Sequence, residues 1–380
     1  MPLFYIISGI ALIVWILSFI RGIRELRRNP HLNIVSKSEY SQKISIIVPA
    51  RNEEERILPL LESIASQSYQ NFELIVVDDK SEDRTVDVVN SYRGKIKNLK
   101  IVESDAQQGW CGKNAALVKG FQNVDKDSEW LLFIDADCEL RENALLTVLD
   151  FALRNSIDCL SLFPEVRSER FFERLLLPSV GAMVTLFNSP EKVNNPSDRV
   201  AFLNGQFIFV KKDVYRDIGT HESVKDAILE DAALAYEVKM KGYKIFLGFG
   251  ENIYLVRMYN SFSEFINGWT KNLYLIIGGR ISALIKMVSI NILLSYLPVI
   301  WLFAGLFYFQ HPLSILFILG YLTVLFFQMY LRYSSGTHPL YAILAPFSST
   351  IVSFVAIRSA YRHIYKKGVD WKGRRYFSNR

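Results

Sequence analysis

The chain has 380 residues, of which 50% are hydrophobic and 22% are charged. This length exceeds an ordinary single domain, and the mixture favours a folded domain joined to membrane segments. The net charge of +6 is concentrated beside apolar stretches, at 21–28 and 358–368, as expected at an anionic membrane face. No helix-turn-helix, zinc-finger or aromatic RNA-binding pattern accompanies these basic clusters, so we expect no nucleic-acid partner.

The cysteines exclude two further classes of protein. Cys111, Cys138 and Cys159 have neither CxxC spacing nor paired histidines, which argues against a structural zinc site. Their odd number argues against a disulfide framework, so we expect a reducing, cytosolic environment.

An apolar stretch followed by arginines occupies residues 1–28. It is close to the roughly 20 residues that span a bilayer as a helix. No basic region precedes it and no small-residue cleavage site follows it, so we expect a retained transmembrane anchor. The arginines place its C-terminal end in the cytoplasm. Residues 29–42 are predicted to form a polar linker.

Residues 43–255 alternate short apolar runs with helical patterns. The runs that predict strands are 44–48, 73–77, 99–103, 130–134 and 159–163. Apolar residues keep helical spacing from Ile57 to Ala65, and again from Val86 to Tyr92. This order predicts an α/β domain with a mainly parallel sheet wrapped by helices. In such sheets ligands bind beyond the carboxyl ends of the strands.

The character of the chain changes near residue 256. Residues 256–286 are predicted to form an interfacial amphipathic region, 287–357 the C-terminal membrane segments, and 358–380 a basic cytoplasmic tail. The apolar segments fall at 287–309, 312–331 and 340–357. Three full crossings would place the basic tail on the side opposite the catalytic part. Because Pro346 lies inside the last segment, a re-entrant or interfacial course for it is the open alternative.

Acidic residues follow three of the predicted elements. They are Glu53 and Glu54, Asp78 and Asp79, and Asp135 and Asp137. Side chains alternate along a strand, so we expect Asp135 and Asp137 to share a face. Each pair alone is equally typical of a solvated acidic turn. Together they crowd one cleft with carboxylates, which favours Mg²⁺ or Mn²⁺ shared with the phosphates of a nucleotide.

Two common nucleotide-binding motifs are excluded. A dinucleotide-binding unit needs GxGxxG after the first strand, where this chain reads PARNEE. A P-loop needs GxxxxGK followed by Ser or Thr, and GWCGKN at 109–114 has neither this spacing nor this ending.

The motifs IIVPARNEE, VVDDKSED, FIDADCEL and LEDAALA, in this order and spacing, resemble those of family 2 glycosyltransferases of the GT-A fold. The resemblance covers about residues 43–270. It implies a metal-dependent, inverting transfer of a sugar from a UDP-sugar, with Mg²⁺ or Mn²⁺ as cofactor. Lys80 departs from the pattern, because the family usually has glycine after the aspartate pair.

The resemblance implies a role for each matching residue. The nucleotide pocket would be lined by Pro49, Ala50, Arg51 and Glu53. Asp78 or Asp79 would accept a hydrogen bond from the uracil or ribose. Lys113 would contact a phosphate or the ribose, and its alternative is a solvated lysine at a helix start.

The same resemblance assigns the reaction centre. Asp135 would lie against the nucleotide sugar and, with Asp137, would hold the metal. Asp231, in the pair Glu230–Asp231, would be the catalytic base that deprotonates the acceptor.

The acceptor region is expected around Trp269, Lys271 and His221. The segment NGWTKN at 267–272 stands where processive members carry QxxRW, so we expect one transfer per acceptor. Trp269 reads equally well as an interfacial membrane anchor. His221 is either a residue of the cleft or a structural histidine.

The segments GWCGK, HES, RMYNSF, GWTKN and VDWKGRRY resemble those of family members that glucosylate a carotenoid acid. This narrower resemblance implies UDP-glucose as donor and an apolar, membrane-soluble acceptor, with a hopanoid or other glycolipid as the alternative. It also implies a multi-pass protein in the lipid bilayer of the cell membrane with a cytoplasmic catalytic domain. The alternative of a different class is a catalytically silent membrane scaffold.

Overall fold

The computed structural model describes residues 31–37, 39–104, 110, 112–307 and 314–365. It also describes the backbone of 369–371 and 374–376, and isolated positions before residue 21. The predicted anchor therefore lies almost entirely outside the described residues. So do Cys111 and most of the predicted tail.

The chain divides into two compact units. The sheet unit consists of Pro30–Arg167, Asn188–Asn260 and Gly368–Arg380. The helical unit consists of Met1–Asn29, Ser168–Phe187 and Ser261–Lys367. Residues 168–187 therefore interrupt the stretch predicted as one continuous sheet domain.

The described strands number ten. They are β1 (Lys43–Ala50), β2 (Phe72–Asp78), β3 (Leu99–Glu103), β4 (Ser128–Ile134), β5 (Cys138–Leu140), β6 (Cys159–Val166), β7 (Phe207–Lys211), β8 (Ile245–Val256), β9 (Val369–Trp371) and β10 (Arg374–Tyr376). The first eight form one sheet in the order β3-β2-β1-β4-β7-β6-β8-β5. All five predicted strands are present.

The described part of the chain has twelve α-helices and one 3₁₀ helix. The α-helices are α1 (Ile57–Ala65), α2 (Thr85–Asn90), α3 (Gly112–Gln122), α4 (Ala144–Arg154), α5 (Phe171–Phe187), α6 (Pro190–Asn194), α7 (Lys212–Asp217), α8 (Glu230–Met240), α9 (Phe262–Ile276), α10 (Ile281–Phe307), α11 (Ser314–Ser334) and α12 (Ala345–Ile364). The 3₁₀ helix spans Pro339–Leu344.

The sheet is parallel in its first half and mixed in its second. β1 pairs in parallel with β2 and β4, and β2 with β3. β7 is antiparallel to both β4 and β6. Every residue of β2 is buried, as expected for a strand covered on both faces.

The register brings three strand ends to one edge. Ala50 at the end of β1 pairs with Asp78 at the end of β2. On the other side of β1, Ile47 pairs with Phe133 of β4. The residues after β2, β1 and β4 therefore lie side by side, which is the position that the sequence predicts for a ligand site.

The predicted amphipathic region at 256–286 contains the whole of one helix and the start of a second. α9 ends at Ile276, and Gly278 and Gly279 then have φ values of 102° and 62°. These values favour glycine and end the helix. α10 begins after this turn.

In the helical unit, α11 and α12 both run antiparallel to α10. Gln328 of α11 donates to the carbonyl of Leu294 of α10 at 2.8 Å. Gly320, earlier in α11, lies against Trp301, later in α10, because a Cβ on Gly320 would be 2.7 Å from the Trp301 ring. On the other side, Ser349 of α12 lies 2.5 Å from the Ser295 hydroxyl. Asn291 of α10 likewise donates to the Ser353 hydroxyl of α12 at 3.2 Å.

The last helix of the helical unit therefore begins part-way along α10 and not at its end. α12 begins level with Tyr296, which lies in the middle of α10. The Tyr296 hydroxyl donates to the Pro346 carbonyl at 3.4 Å. From there it runs towards the start of α10. Residues 335–344 must lead back into the bundle from the end of α11. Pro346 lies in the first turn of α12, where proline is tolerated.

Candidate functional site

The loops after β1 and β2 form one hydrogen-bonded structure. The Asp79 amide donates to the Ala50 carbonyl at 2.9 Å. Arg51 Nη1 donates to the Asp79 carbonyl at 2.8 Å. Asp78 and Asp79 are buried, and Asp78 accepts from the Ser81 amide at 3.3 Å. Pro49, Ala50, Arg51, Asp78 and Asp79 thus lie together, and their role in nucleotide binding stays a prediction.

Lys80 adopts a left-handed backbone conformation in the turn that follows this aspartate pair. Its φ is 57°, in the left-handed region that glycine occupies at little cost. The departure from the family pattern therefore falls on a residue that adopts a glycine-like conformation.

Glu53 and Glu54 face different surroundings. Glu53 is buried, and its amide donates to Thr85 Oγ1 at 2.8 Å. Glu54 Oε2 instead accepts from the Arg84 amide at 2.9 Å, next to the start of α2. Glu54 therefore orders the β2–α2 loop.

Lys113 joins two acidic elements of the site. Its Nζ lies 2.8 Å from Asp135 Oδ1 and 2.8 Å from Glu230 Oε1. Burial lowers the pKa of Lys113, but the two carboxylates outweigh it and raise the pKa well above its usual value. Lys113 is therefore a permanent cation that compensates two carboxylates.

Asp231 lies in the first turn of α8 and is held by two backbone amides. Gly205 N donates to its Oδ2 at 2.9 Å, and Ala232 N donates to its Oδ1 at 2.7 Å. Burial raises the pKa of this carboxyl from 3.8 to about 7, and the charge of Glu230 acts in the same direction. Lys113 and the two amides oppose the shift. Asp231 therefore changes its charge near neutral pH.

Gly205 is a residue of the site that sequence reasoning missed. A Cβ at this position would lie 2.9 Å from Asp231 Oδ2, so only glycine lets the backbone approach the carboxylate. Nothing in the sequence separates this glycine from any other loop glycine. Gln206 was missed for the same reason, and its carbonyl accepts from the Asp135 amide at 3.3 Å.

Asp135 and Asp137 do not lie on a continuous strand. β4 ends at Ile134, and the Cys138 amide donates to the Asp135 carbonyl at 3.3 Å. The intervening residues form a turn, so strand alternation does not determine where the two side chains point. The expectation of a shared strand face is wrong, although both residues remain at the predicted edge.

These carboxylates fit a metal that arrives with its nucleotide. Among the described residues, no group of three or more His, Cys, Asp or Glu side chains is arranged to hold a metal ion. Mg²⁺ typically takes one or two carboxylates and completes its shell with substrate phosphates and water. Asp135 and Asp137 offer that smaller ligand set.

His221 is fully buried in the sheet unit. Its amide donates to the Tyr215 hydroxyl at 3.1 Å, and this hydroxyl lies 2.7 Å from Nδ1. The hydroxyl therefore donates to Nδ1 and leaves the proton on Nε2. Burial lowers the pKa of His221 to about 4, so the imidazole is neutral at physiological pH. A role in acceptor binding stays a prediction.

Trp269 and Lys271 lie in the helical unit, on α9. Trp269 Nε1 is buried with no hydrogen-bond partner among the described residues. The Lys271 carbonyl accepts from His363 Nε2 of α12 at 2.8 Å. Their assignment to the acceptor also stays a prediction.

The comparisons with known proteins agree with these motifs. Residues 45–219 match the family model described as Glycosyl transferase family 2. The chain carries a family 2 glycosyltransferase domain. The family indicated by the four motifs is therefore confirmed, and so is the GT-A class of the sheet unit.

Two relatives extend the likeness over nearly the whole chain. The 4,4'-diaponeurosporenoate glycosyltransferase of Staphylococcus aureus (strain USA300) is 27% identical over 381 residues, covering 97% of this chain and 98% of that protein. A mannosyltransferase from Pyrobaculum calidifontis, solved in complex with GDP-Man and Mn²⁺, covers 96% of this chain and 98% of its own at a TM-score of 0.54. Its sequence is 16% identical, so this likeness concerns the fold.

The helical unit is compatible with a membrane location. Three helical segments, Ile281–Phe307, Ser314–Ser334 and Pro339–Ile364, are long and apolar enough to cross a bilayer. This agrees with the membrane segments that the sequence predicts.

Proposed function

We propose that this glycosyltransferase moves a sugar, namely glucose, from a UDP-sugar to an apolar carboxylic acid in the membrane, such as a carotenoid acid. The observation that carries the proposal is the Asp231 carboxyl, which is held beside Glu230 and Lys113 with a pKa raised to about 7. Near neutral pH such a carboxyl is partly protonated, so it repels a negatively charged acceptor less than an ordinary aspartate does.

The reaction is a single displacement at the anomeric carbon. An acceptor carboxylate oxygen forms the new C–O bond while the bond from that carbon to the diphosphate oxygen breaks. The electron pair leaves with the nucleoside diphosphate. A carboxylic acid has a reference pKa near 4 and is already ionised, so no base is needed to remove a proton. For a hydroxyl acceptor, Asp231 would have to take that proton.

The charges of the site suit this substrate pair. Lys113 supplies a fixed cation beside Asp135 and Glu230. This positive charge offsets the repulsion between these two carboxylates and an incoming anion. Pro49, Ala50, Arg51, Glu53, Asp78 and Asp79 would bind the nucleoside. Asp135 and Asp137 would hold Mg²⁺ or Mn²⁺, which stabilises the diphosphate as it leaves.

The acceptor class rests on two independent supports. The relative that is 27% identical over 97% of this chain is named for glycosylating 4,4'-diaponeurosporenoate, a carboxylate. The apolar helices of the helical unit would hold the enzyme in the bilayer in which such a molecule dissolves. Only its polar end need enter the cleft.

For the membrane course we propose two crossings, α10 and α11, followed by the re-entrant segment 335–364. This arrangement returns the basic tail to the cytoplasmic side with the catalytic domain, as positive charge favours. Single cysteines at His338 and Tyr365 should react with an impermeant maleimide only from the catalytic side. A cysteine at Phe307 should react only from the opposite side. Labelling of Tyr365 from the side of Phe307 would contradict the re-entrant course.

The activity is tested with the full-length protein in detergent, UDP-glucose and diaponeurosporenoate. Mass spectrometry should detect the glucosyl ester, and EDTA should abolish it. Asp137→Ala should also abolish transfer while the protein stays folded. The matched control is Asp213→Ala, which removes an exposed acid paired with Arg216 in α7, and it should retain activity. Transfer that survives both EDTA and Asp137→Ala would refute the metal assignment.

A further inference from the structure

Arg332 is a buried cation near the C-terminal end of α11. The residue is only 5% exposed. Its Nε and Nη2 atoms are buried and have no hydrogen-bond partner among the residues that the structure describes. An unpaired guanidinium in apolar surroundings is costly, and buried charges in proteins are normally paired. The described residues therefore provide no hydrogen-bonded counter-charge for these two atoms.

The three long helices around Arg332 supply no such anion. Residues 265–369 contain no Asp or Glu. The same stretch carries eight Lys and Arg residues: Lys271, Arg280, Lys286, Arg332, Arg358, Arg362, Lys366 and Lys367. Because α10, α11 and α12 all fall inside this stretch, none of them offers Arg332 a carboxylate.

A second unfilled polar atom lies one turn away on the same face of α11. Gln328 is four residues before Arg332, which places both side chains on one side of the helix. Its Nε2 donates to the Leu294 carbonyl, but its Oε1 is buried without a partner among the described residues. This face of α11 is the one packed against α10. This face of α11 therefore carries two side chains with unsatisfied buried polar atoms, and of these only the Arg332 donors can bind an anion.

The backbone around Arg332 is already satisfied. Its carbonyl accepts from the Thr337 amide at 2.9 Å and from Thr337 Oγ1 at 3.0 Å. These bonds close the end of α11 and fix the turn that leads to the 3₁₀ helix. Only the guanidinium is left to bind something else.

We propose that Arg332 binds the anionic end group, a carboxylate or a phosphate, of a membrane amphiphile. The planar guanidinium matches either group with two parallel hydrogen bonds. An amphiphile is favoured over a soluble anion because Arg332 lies in α11, a helix that is long and apolar enough to cross a bilayer. The proposal concerns the helical unit alone and does not depend on glycosyl transfer.

The test measures binding with the full-length protein in an uncharged detergent. Thermal unfolding is followed with oleate, with phosphatidylglycerol, with phosphatidylcholine and with inorganic phosphate. Oleate, phosphatidylglycerol or both should raise the melting temperature by mass action, whereas phosphatidylcholine and inorganic phosphate should not. A response to oleate alone identifies a carboxylate ligand, and one to phosphatidylglycerol alone identifies a lipid phosphate.

Two variants locate the effect. Arg332→Gln should weaken the apparent affinity about tenfold or more, because it removes a charge-assisted pair of hydrogen bonds. The matched control Arg280→Gln removes the same charge from an exposed position and should retain the affinity. Without added anion, Arg332→Gln should melt no lower than the wild type, since it removes an unpaired buried charge.

Several results would overturn the proposal. They are the absence of stabilisation by either amphiphile, an equal effect of inorganic phosphate, or an equal loss of affinity in the Arg332→Gln and Arg280→Gln variants. If Arg332→Gln fails to fold, Arg332→Lys decides, because it keeps the charge but loses the planar fork. It should bind more weakly than the wild type, and wild-type affinity would contradict the proposed contact.

Discussion

Lys113 gives the sharpest test of the charge arrangement in the site. The substitution Lys113→Met keeps most of the aliphatic volume and removes the ammonium that lies 2.8 Å from both Asp135 and Glu230. Glu230 is 8% exposed and Asp135 is 28% exposed, so the variant leaves one nearly buried and one partly solvated carboxylate without their cation.

The expected cost follows from that burial. Removing one partner of a fully buried pair costs about 3–5 kcal/mol, and exposed pairs contribute less than about 1 kcal/mol. With the lysine itself 30% exposed, we expect about 2 kcal/mol. For a unit of this size that corresponds to a melting temperature lower by about 4–8 °C at pH 7.

The assays are thermal unfolding at pH 7 and turnover on an acid acceptor. Turnover should fall by about two orders of magnitude, because the acceptor carboxylate would meet uncompensated negative charge. The control Lys119→Met removes an exposed lysine from the same helix, α3, and should change neither quantity. A Lys113→Met protein as stable and active as this control would refute the reasoning.

Three further predictions concern stability. Gly205→Ala should lower the melting temperature through a cost of about 1–3 kcal/mol, because its Cβ would lie 2.9 Å from Asp231 Oδ2; Gly94→Ala, with open space around it, should not. The pKa of Asp231 is raised from 3.8 to about 7, so its contribution to stability is complete below pH 3.8 and is lost as the pH rises through about 7. The melting temperature of the wild type should therefore fall relative to that of Asp231→Asn between pH 4 and pH 8. Parallel curves of melting temperature against pH would contradict this. Lys100→Met should cost about 2 kcal/mol, because Lys100 pairs with the fully buried Glu73 at 2.7 Å. The Ser45 and Ser128 hydroxyls also donate to Glu73, and an unchanged melting temperature would show that these two hydrogen bonds suffice to hold the buried carboxylate.

The sequence predicted all four strands of the first half of the sheet but only β6 of the second half. The runs that became β1 to β4 and β6 are short, apolar and bounded by polar turns, which is the pattern of strands covered on both faces. β8 escaped prediction because its sequence, IFLGFGENIYLV, includes two glycines and a polar pair. The pairing of β6 with β8 also changes register between Pro164 and Glu165.

Long-range contacts explain what local patterns missed. α5 groups with the helical unit, and its Ser179 hydroxyl lies 2.8 Å from that of Ser348, 169 positions along the chain. No periodicity within α5 encodes that partner. The Gly205 amide reaches Asp231 across 26 positions for the same reason. The acidic motifs were predictable because each follows its own strand, whereas the bond between Lys113 and Glu230 exists only in the folded chain.

The central claim is that the acceptor is a membrane-soluble carboxylic acid, and Asp231→Asn tests it most directly. Turnover of this variant is measured at pH 7 with UDP-glucose and diaponeurosporenoate, alongside the affinity for UDP. Because an ionised acceptor needs no base and the asparagine resembles the protonated carboxyl, the variant should keep its rate within about tenfold and bind UDP as the wild type does. A loss of two or more orders of magnitude with unchanged UDP binding would contradict the claim, since that is the result expected for a hydroxyl acceptor that depends on Asp231 as its base.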